Sequence, residues 1–268
     1  MSDPTLVIKF GGTSLGSPAR VRLAARRVRA HAARGRRVAV VVSAVGGATD
    51  RIVRMLSRVT PRGVPDPREA DRALATGEDL SAALLAAALG GLGVPARSLR
   101  GGEAGVAAEG GFCGGRIEGV DPAPLRRLLA AGIVPVVSGF QGERDDGETV
   151  TLGRGGSDTS AVAIAAALGS PCHIVTDVAA VFDRDPRIDA DARPIARLTH
   201  DELVRLAEGG ARVVHREAAA LALRHRVPLS VYHFRAPLSG GPGTRVVPVD
   251  AIDIRAILEA PDAPEVAA

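Results

Sequence analysis

Two strongly apolar runs, separated by a helical pattern, constrain the fold of this chain more than any other feature. The runs are residues 6–10 and 38–43, and neither alternates polar with apolar side chains. Continuous apolar runs are typical of parallel strands that are covered on both faces. Between them, Ser17 is placed to cap a helix, Pro18 suits its first position and Gly35 suits its end. The sequence therefore predicts a strand–helix–strand unit.

The same alternation continues toward the C-terminus. Further helices are predicted near residues 69–89, 159–168 and 200–208, and further strands at residues 133–137, 173–176 and 229–233. Alternation of this kind favours an α/β fold with a mainly parallel sheet. The glycine-rich and acidic stretch 139–156 is interpreted as a loop that joins two lobes.

Composition narrows the class of protein. The 268 residues are 46% hydrophobic, which is enough for one large domain or two lobes. A net charge of +4, spread along the chain, and an aromatic content of 2% argue against a nucleic-acid surface. Because no long apolar run and no basic leader followed by an apolar core is found, we expect a cytoplasmic protein without membrane contact. Neither Cys113 and Cys172 nor the six histidines show metal-ligand spacing, so no metal site is predicted.

One lysine marks the end of the first predicted strand. Lys9 is the only lysine among 34 lysine and arginine residues, and it stands just before Gly11 and Gly12. A strand that runs into glycines and then a helix directs N–H groups and the positive helix end toward an anion. The glycines follow the lysine, so this is not a Walker A loop, and the spacing of Gly11, Gly12 and Gly16 is not that of a dinucleotide fingerprint. We interpret Lys9 as a contact for a moving phosphoryl group; the alternative is a lysine whose ammonium reaches solvent from a strand end.

A second glycine turn follows the second strand, in the segment VVVSAVGGATD at residues 40–50. Loops that leave the carboxyl ends of parallel strands share one edge of a sheet, so this turn should lie beside the first. By itself the segment is also compatible with an ordinary strand-to-helix connection, in which Thr49 or Asp50 caps the helix.

The third glycine loop, TLGRGGSDTSA at residues 151–161, is more specific. Three glycines surround Arg154, and Ser157 and Asp158 stand directly before an alanine-rich helix. Either residue could be a simple helix cap, but a cap does not need three glycines and an arginine. The loop therefore predicts a ligand site in which Arg154 grips a carboxylate as a bidentate fork.

Seven motifs occur in the order and approximate spacing of the aspartate kinases of the amino acid kinase family. They are KFGGTS, VVSAVGG, TGE, GFQG, TLGRGGSD, TDVAAVFDRDPR and GARVVH, and the match extends over about residues 5–245. The resemblance implies a three-layer αβα sandwich with a mainly parallel central sheet. A catalytic domain of residues 1–250 would hold the amino acid in a lobe of about 1–150 and MgATP in a lobe of about 151–250. Residues 251–268 would be a short tail, with no regulatory domain.

The resemblance also implies a reaction. It is the phosphorylation by ATP, with Mg²⁺, of the side-chain carboxylate of L-aspartate to 4-phospho-L-aspartate, the entry to lysine, threonine and methionine biosynthesis. We expect a stand-alone domain without feedback regulation that forms a homo-oligomer such as a dimer. A separate subunit could supply regulation. Two alternatives stay open. One is a kinase of the same fold with another acidic acceptor, such as an N-acetylated amino acid, a carbamate or a nucleoside monophosphate; the other is a non-catalytic small-molecule-binding subunit.

Site residues follow from the same resemblance. Lys9 and Asp158 are catalytic. The aspartate group is Thr49, Glu78, Arg154 and Ser157, in which Glu78 faces the ammonium and Arg154 a carboxylate. The nucleotide group is Lys9, Phe10, Gly11, Gly12, Ser14, Thr176, Asp177, Phe182, Asp185, Arg187, Arg212 and Val213. Without the resemblance, Glu78 would be interpreted as an ordinary carboxylate on a helix face.

Four departures from the family pattern lie in the nucleotide half. Ala179 and Ala180 stand where family members usually carry Asp-Gly, and Phe182 stands where they carry tyrosine. Arg212 replaces a lysine, and Arg216 stands where a proline usually follows the histidine. These departures leave the choice of nucleotide open.

Overall fold

The computed structural model of the protein describes residues 5–60, 63–184, 189, 191–210, 213–237 and 243–248. The helices in this part of the chain are α1 Pro18–Ala32, α2 Ala48–Val59, α3 Pro67–Gly90, α4 Ala123–Ala130, α5 Gly156–Leu168, α6 His200–Glu208 and α7 Arg216–His225. The strands are β1 Thr5–Phe10, β2 Arg37–Val42, β3 Ala96–Leu99, β4 Val106–Glu109, β5 Arg116–Val120, β6 Val134–Ser138, β7 Gln141–Glu143, β8 Thr149–Thr151, β9 Cys172–Thr176, β10 Val181–Phe182, β11 Pro194–Ile195, β12 Arg197–Thr199, β13 Leu229–His233 and β14 Thr244–Val247.

Eight of these strands form one central sheet, in the order β12-β14-β13-β9-β1-β2-β6-β3. Its strand pairs are parallel except for β13 with β14. In the register of the sheet, Lys9 lies between Val41 of β2 and Ile174 of β9. The predicted α/β class with a mainly parallel sheet is confirmed, and strands from both sides of residue 150 join the same sheet.

Helices cover both faces of the sheet. On one face Leu6 and Ile8 pack in a core with residues of α1 and α3, while on the other face Val7 packs in a core with residues of α4, α5, α6 and α7. All three β1 side chains are 0% exposed, which explains why this strand shows no polar alternation. The three-layer αβα arrangement implied by the resemblance is confirmed.

Local signals placed several elements well. The Ser17 side chain accepts a hydrogen bond from Arg20 N at 3.3 Å at the start of α1, and Gly35 has a φ of 76° just beyond the end of that helix. A cap of this kind satisfies one of the N–H groups that a helix start leaves unpaired. The limits predicted for α6 and β13 agree with the structure.

The interpretation of residues 139–156 as a loop is wrong. Strands β7 and β8 form an antiparallel hairpin there, and the hairpin joins β4 and β5 in a four-stranded sheet. Each hairpin strand is only three residues long, too short to show an apolar period. Its pairing partner in β4 is distant in the chain, since Ala107 lies opposite Glu143.

Helix α3 is long and apolar enough, by length and composition, to cross a membrane, and it is the one such helix in the described chain. It contacts α1, β3 and β6. It also buries the carboxyl groups of Asp71 and Glu78, which are 0% and 3% exposed. A helix that packs on a sheet and turns acidic side chains inward is typical of a protein core.

Candidate active site

The loops that follow β9, β1, β2 and β6 meet at the edge of the sheet where these parallel strands end. Backbone hydrogen bonds join each loop to its neighbour: Gly11 N donates to Val175 O at 3.1 Å, Ser43 N to Phe10 O at 3.1 Å, and Gly139 N to Val42 O at 3.0 Å. Ligands of open α/β sheets bind at such an edge. The first two glycine loops lie together, as the sequence predicts.

The contact between these two loops depends on Gly12. Its carbonyl accepts a hydrogen bond from Gly46 N at 3.0 Å. A Cβ added at Gly12 would lie 2.5 Å from the carbonyl oxygen of Ala44. Only glycine allows so close an approach, so residue type at this position determines how the second loop packs on the first.

Lys9 forms a buried ion pair with Asp158. The Lys9 Nζ lies 2.7 Å from Asp158 Oδ1, and the two side chains are 11% and 12% exposed. Strand β1 carries the lysine and the first turn of α5 carries the aspartate. Because both charges are shielded from water, the pair holds the ammonium in one place at the edge of the sheet.

Glu78 of α3 reaches the second loop. Its Oε1 accepts a hydrogen bond from Ala44 N at 2.8 Å, whereas its buried Oε2 has no hydrogen-bond partner in the part of the chain that the structure describes. Burial raises the pKa of this carboxyl to about 7, against the lowering effects of the Ala44 N–H and of Lys9. The arrangement leaves one buried carboxylate oxygen able to accept a hydrogen bond from a ligand.

The loop between β8 and α5 places Arg154 and Ser157 differently. Arg154 is exposed, and among the described residues its guanidinium forms no ion pair. Ser157 is 9% exposed in the first turn of α5. The residue at the N-cap is Gly155, with a φ of 76°, so neither Ser157 nor Asp158 is the cap. Both side chains therefore lie in the first turn of α5, and neither caps the helix.

Thr49 lies half-buried in the first turn of α2. The N-cap of that helix is Gly47, with a φ of 78°. The alternative in which Thr49 or Asp50 caps the helix is therefore wrong. The left-handed backbone at Gly47 explains why the cap position takes glycine.

The first predicted nucleotide contacts are mostly engaged within the protein. The Phe10 side chain is 1% exposed and packs in the core. Gly11 N–H donates to Val175 O, and Ser14 Oγ donates to the same oxygen at 3.2 Å. Gly12 begins a 3-10 turn, so its N–H has no acceptor within that turn. The roles of these residues stay predictions, and they depend on backbone groups more than on side chains.

The remaining nucleotide residues lie on the C-terminal half. Thr176 Oγ1 donates to Asp177 Oδ1 at 3.2 Å just after β9, and Phe182 is half-buried where β10 pairs with β11. Val213 packs against the core. Asp185, Arg187 and Arg212 lie outside the described residues, so their predicted roles stay predictions.

Comparison with known proteins decides the family. The model of the amino acid kinase family matches residues 4–233 of the chain. The chain belongs to the amino acid kinase family. The family resemblance that the seven motifs indicated is thereby confirmed.

Relatives within this family carry aspartokinase names. The chain is 43% identical to an aspartokinase of Thermus thermophilus over 90% of its own length and 58% of that protein's, and 44% identical to one of Geobacillus stearothermophilus with the same coverages. It therefore spans little more than half the length of these curated relatives. Among solved structures, aspartate kinase from Synechocystis matches with a TM-score of 0.77 and 38% identity, covering 91% of this chain and 40% of that one. Escherichia coli aspartokinase III in complex with aspartate and ADP matches with a TM-score of 0.77 and 26% identity, covering 91% of this chain and 64% of that one.

One buried residue with several hydrogen-bond partners was not predicted from the sequence. Asp71 of α3 is 0% exposed, and its Oδ2 accepts hydrogen bonds from Cys113 N at 2.9 Å and Thr151 N at 3.1 Å. Its Oδ1 accepts from Thr151 Oγ1. Asp71 therefore holds the strand that leads into the Arg154 loop. A signal was present, since Asp71 and Glu78 are seven residues apart and so share one face of a helix.

A second missed contact joins the last motif to the third loop. The ring of His215 packs against Gly155 so closely that a Cβ on this glycine would overlap it. His215 Nδ1 is buried and has no hydrogen-bond partner among the described residues. His215, the last residue of the GARVVH motif, thus supports the start of α5, and with it the position of Asp158.

Proposed function

We propose that this chain is an aspartate kinase catalytic region, which transfers the γ-phosphoryl group of ATP to the side-chain carboxylate of L-aspartate. The observation that carries the proposal is Glu78, a buried carboxylate on the same edge of the sheet as the Lys9–Asp158 pair, with one oxygen that has no hydrogen-bond partner among the described residues. An acceptor with an ammonium group uses such a carboxylate, whereas an acceptor without one leaves it uncompensated. The aspartokinase names of the relatives, and the aspartate and ADP in the Escherichia coli structure, support the same substrates.

Charges on the acceptor side fit an amino acid with two carboxylates. Glu78 would bind the ammonium, and the exposed Arg154 would bind a carboxylate through two parallel N–H donors. Ser157 and Thr49 lie in the first turns of α5 and α2. The positive ends of these two helices favour a negatively charged acceptor at this edge.

The transfer needs no nucleophile from the protein. A carboxylate oxygen of aspartate attacks the γ-phosphorus, the bond to the bridging oxygen breaks, and ADP leaves with that electron pair. Lys9 stabilises the charge that spreads over the transferring group, and Asp158 holds its ammonium in position at 2.7 Å. Catalysis of this kind rests on positioning and electrostatic stabilisation.

We propose that Mg²⁺ enters with the nucleotide. Among the described residues no group of three or more His, Cys, Asp or Glu side chains converges, so the donor set does not form an all-protein cage. Mg²⁺ usually keeps several waters and binds through one or two carboxylates and the phosphates of the substrate. Asp177, exposed after β9, is a side chain that would share such an ion, whose chemistry is to neutralise phosphate charge.

Release of ADP with and without L-aspartate tests the proposal most directly. We expect MgATP turnover that depends on L-aspartate and yields an acyl phosphate, which hydroxylamine traps as a hydroxamate. N-acetyl-L-aspartate, which has no ammonium for Glu78, should be a poor acceptor. Equal turnover with both acceptors would assign a kinase of another acidic acceptor, and binding of ATP and aspartate without turnover would assign a non-catalytic subunit.

We also propose that the chain forms a homodimer through α2 and α3. The support is a set of large apolar side chains that are 44–78% exposed on these two adjacent helices: Val53, Met55, Val59, Leu80 and Leu84. Exposed apolar patches of this kind are typical of interaction surfaces. Light scattering should give a dimer for the parent chain and a monomer for Val53→Glu combined with Leu84→Glu, and a monomeric parent would contradict the proposal.

A further inference from the structure

A second concave region lies far from the loops that carry Lys9. It is a cleft of about 960 Å³ on the α1 side of the sheet, next to the end of α1 and to the starts of β9 and β13. The active-site loops leave the opposite ends of β1, β2 and β9. The cleft and the predicted active site therefore lie at opposite ends of the strands of one sheet, and no residue lines both.

Unpaired positive charge surrounds this cleft. Four exposed arginines line it, and in the described part of the chain their guanidinium groups form no ion pair or hydrogen bond: Arg34, Arg36, Arg197 and Arg245. None of the described lining residues is acidic. Two of the arginines, Arg34 and Arg36, belong to a basic segment at residues 34–37, which lies outside the predicted active site. Four cations in one cleft, without a counter-ion among the described residues, create a strongly positive potential.

His31 supplies an independent sign of a ligand. Its side chain lines the cleft and is only 3% exposed, yet its Nε2 has no hydrogen-bond partner among the described residues. The ring packs edge-on against His173, with ring centroids 5.8 Å apart, and His173 Nδ1 lies 3.0 Å from Tyr232 Oη. Buried polar atoms are nearly always hydrogen-bonded, so an orphan nitrogen in a basic cleft marks a place for a bound acceptor.

We propose that this cleft binds a small multivalent oxyanion, one that carries phosphate groups or several carboxylates, between the arginines and His31 Nε2. Arginine forks match the geometry of phosphate and carboxylate oxygens. A neutral or cationic ligand would leave the guanidinium groups uncompensated. The volume suits a metabolite and exceeds what a single water or a monatomic ion needs.

Binding of such an anion should be coupled to proton uptake. Burial, followed by the neighbouring cations, lowers the pKa of His31 to about 4 and that of His173 to about 3. The groups that face the two rings are Arg27 in α1, Arg34 and Arg36 after it, Arg245 in β14, and Tyr232 in β13. An anion favours the charged form of both rings, so their pKa values rise when it binds.

Calorimetric titration of the full chain with pyrophosphate and with citrate tests the site. The double variant Arg36→Ala with Arg245→Ala, the groove variant, removes two of the cleft arginines and should weaken binding at least tenfold. Arg205→Ala combined with Arg224→Ala removes the same charge from exposed positions of α6 and α7 and should leave binding unchanged. If the groove variant does not fold, Arg34→Ala with Arg197→Ala replaces it. Tighter binding of pyrophosphate assigns phosphate as the recognised group, and tighter binding of citrate assigns carboxylates.

Three results would overturn the proposal. If neither pyrophosphate nor citrate binds, the cleft is not an anion site. Equal affinity in parent and groove variant places the anion at the active-site loops alone. Equal loss in the groove variant and its charge-matched control shows only unspecific attraction. None of these readouts depends on turnover, so failure here leaves the proposed kinase activity untouched, and the reverse also holds.

Discussion

The proposed acceptor side and the proposed nucleotide side of the sheet edge are built differently. Beside the exposed Arg154 and the half-buried Thr49, the acceptor side presents ionisable or polar residues that are at most 9% exposed: Lys9, Glu78, Ser157 and Asp158. Strands and helices of the main framework hold them. On the nucleotide side Asp177 and Ala179 are exposed and Phe182 is half-buried in a two-residue strand. Buried, partnered charges act with little screening, whereas exposed groups are screened by water. The electrostatics of the proposed transfer is therefore a property of the framework, whereas Asp177 and Ala179, one of the departures from the family pattern, are exposed to solvent.

The strongest test of this contrast is Lys9→Arg. The charge is kept, but a planar fork cannot replace a compact ammonium 2.7 Å from Asp158. We expect kcat to fall about 100- to 1000-fold, the usual scale for losing a positioned electrostatic donor. Arg224→Lys, a swap in the reverse direction at an exposed position, should keep normal turnover. A correctly folded Lys9→Arg enzyme with near-normal kcat would refute the assigned role.

Substitution of Glu78 should affect one substrate only. In Glu78→Gln the shape is kept and the charge is lost, so we expect the KM for aspartate to rise about ten- to hundredfold, as for loss of a hydrogen bond to a charged group. The KM for ATP should change less than about threefold. Glu208→Gln, exposed at the end of α6, is the matched control. Equal rises for both substrates would mean that Glu78 supports the fold instead of binding the ammonium.

The same carboxyl predicts a pH dependence. With a pKa of about 7, Glu78 is mostly protonated at pH 6 and mostly ionised at pH 8, so kcat/KM for aspartate should rise about tenfold across that interval. The Glu78→Gln variant should lack this rise. The effect on folding has the opposite sign: the raised pKa stabilises the fold below the ordinary value of 4.5, and that contribution is lost as pH rises through about 7. A parent profile that is flat from pH 6 to 8 would contradict the assignment.

The smallest effect is expected on the nucleotide side. Truncation of a half-buried ring in Phe182→Ala removes one aromatic contact, so the KM for ATP should rise about two- to tenfold. The KM for aspartate should stay unchanged, whereas Glu78→Gln should raise that KM and leave the KM for ATP nearly unchanged. Phe112→Ala, a half-buried aromatic of the small sheet's satellite core, controls for general loosening. A hundredfold loss in kcat for Phe182→Ala would break the contrast between the two sides.

Several parts of this picture could be predicted from short stretches of sequence. The apolar run that became β1, the Ser17 cap of α1 and the glycine loop that carries Arg154 each depend on residues close together in the chain. Spacing could not predict the hairpin of β7 and β8, because its strands are stabilised by pairing with β4 and not by a local apolar period. Asp71 was missed for a similar reason, since its partners Cys113 and Thr151 are 42 and 80 residues away.

Local sequence was sufficient for the class of fold, for the apolar strands and periodic helices that were predicted, and for singling out Lys9, because backbone preferences and hydrophobic periodicity act over a few residues. Tertiary packing decided which charged side chains come into contact with which partners. Lys9 finds Asp158 only when α5 packs beside β1, and Glu78 finds Ala44 only when α3 lies over the second loop. Burial among segments that are distant in sequence raises the pKa of Glu78 and leaves a nitrogen of His31 without a partner in the part of the chain that the structure describes. Desolvation depends on everything that surrounds a group, and no short stretch of chain contains that information.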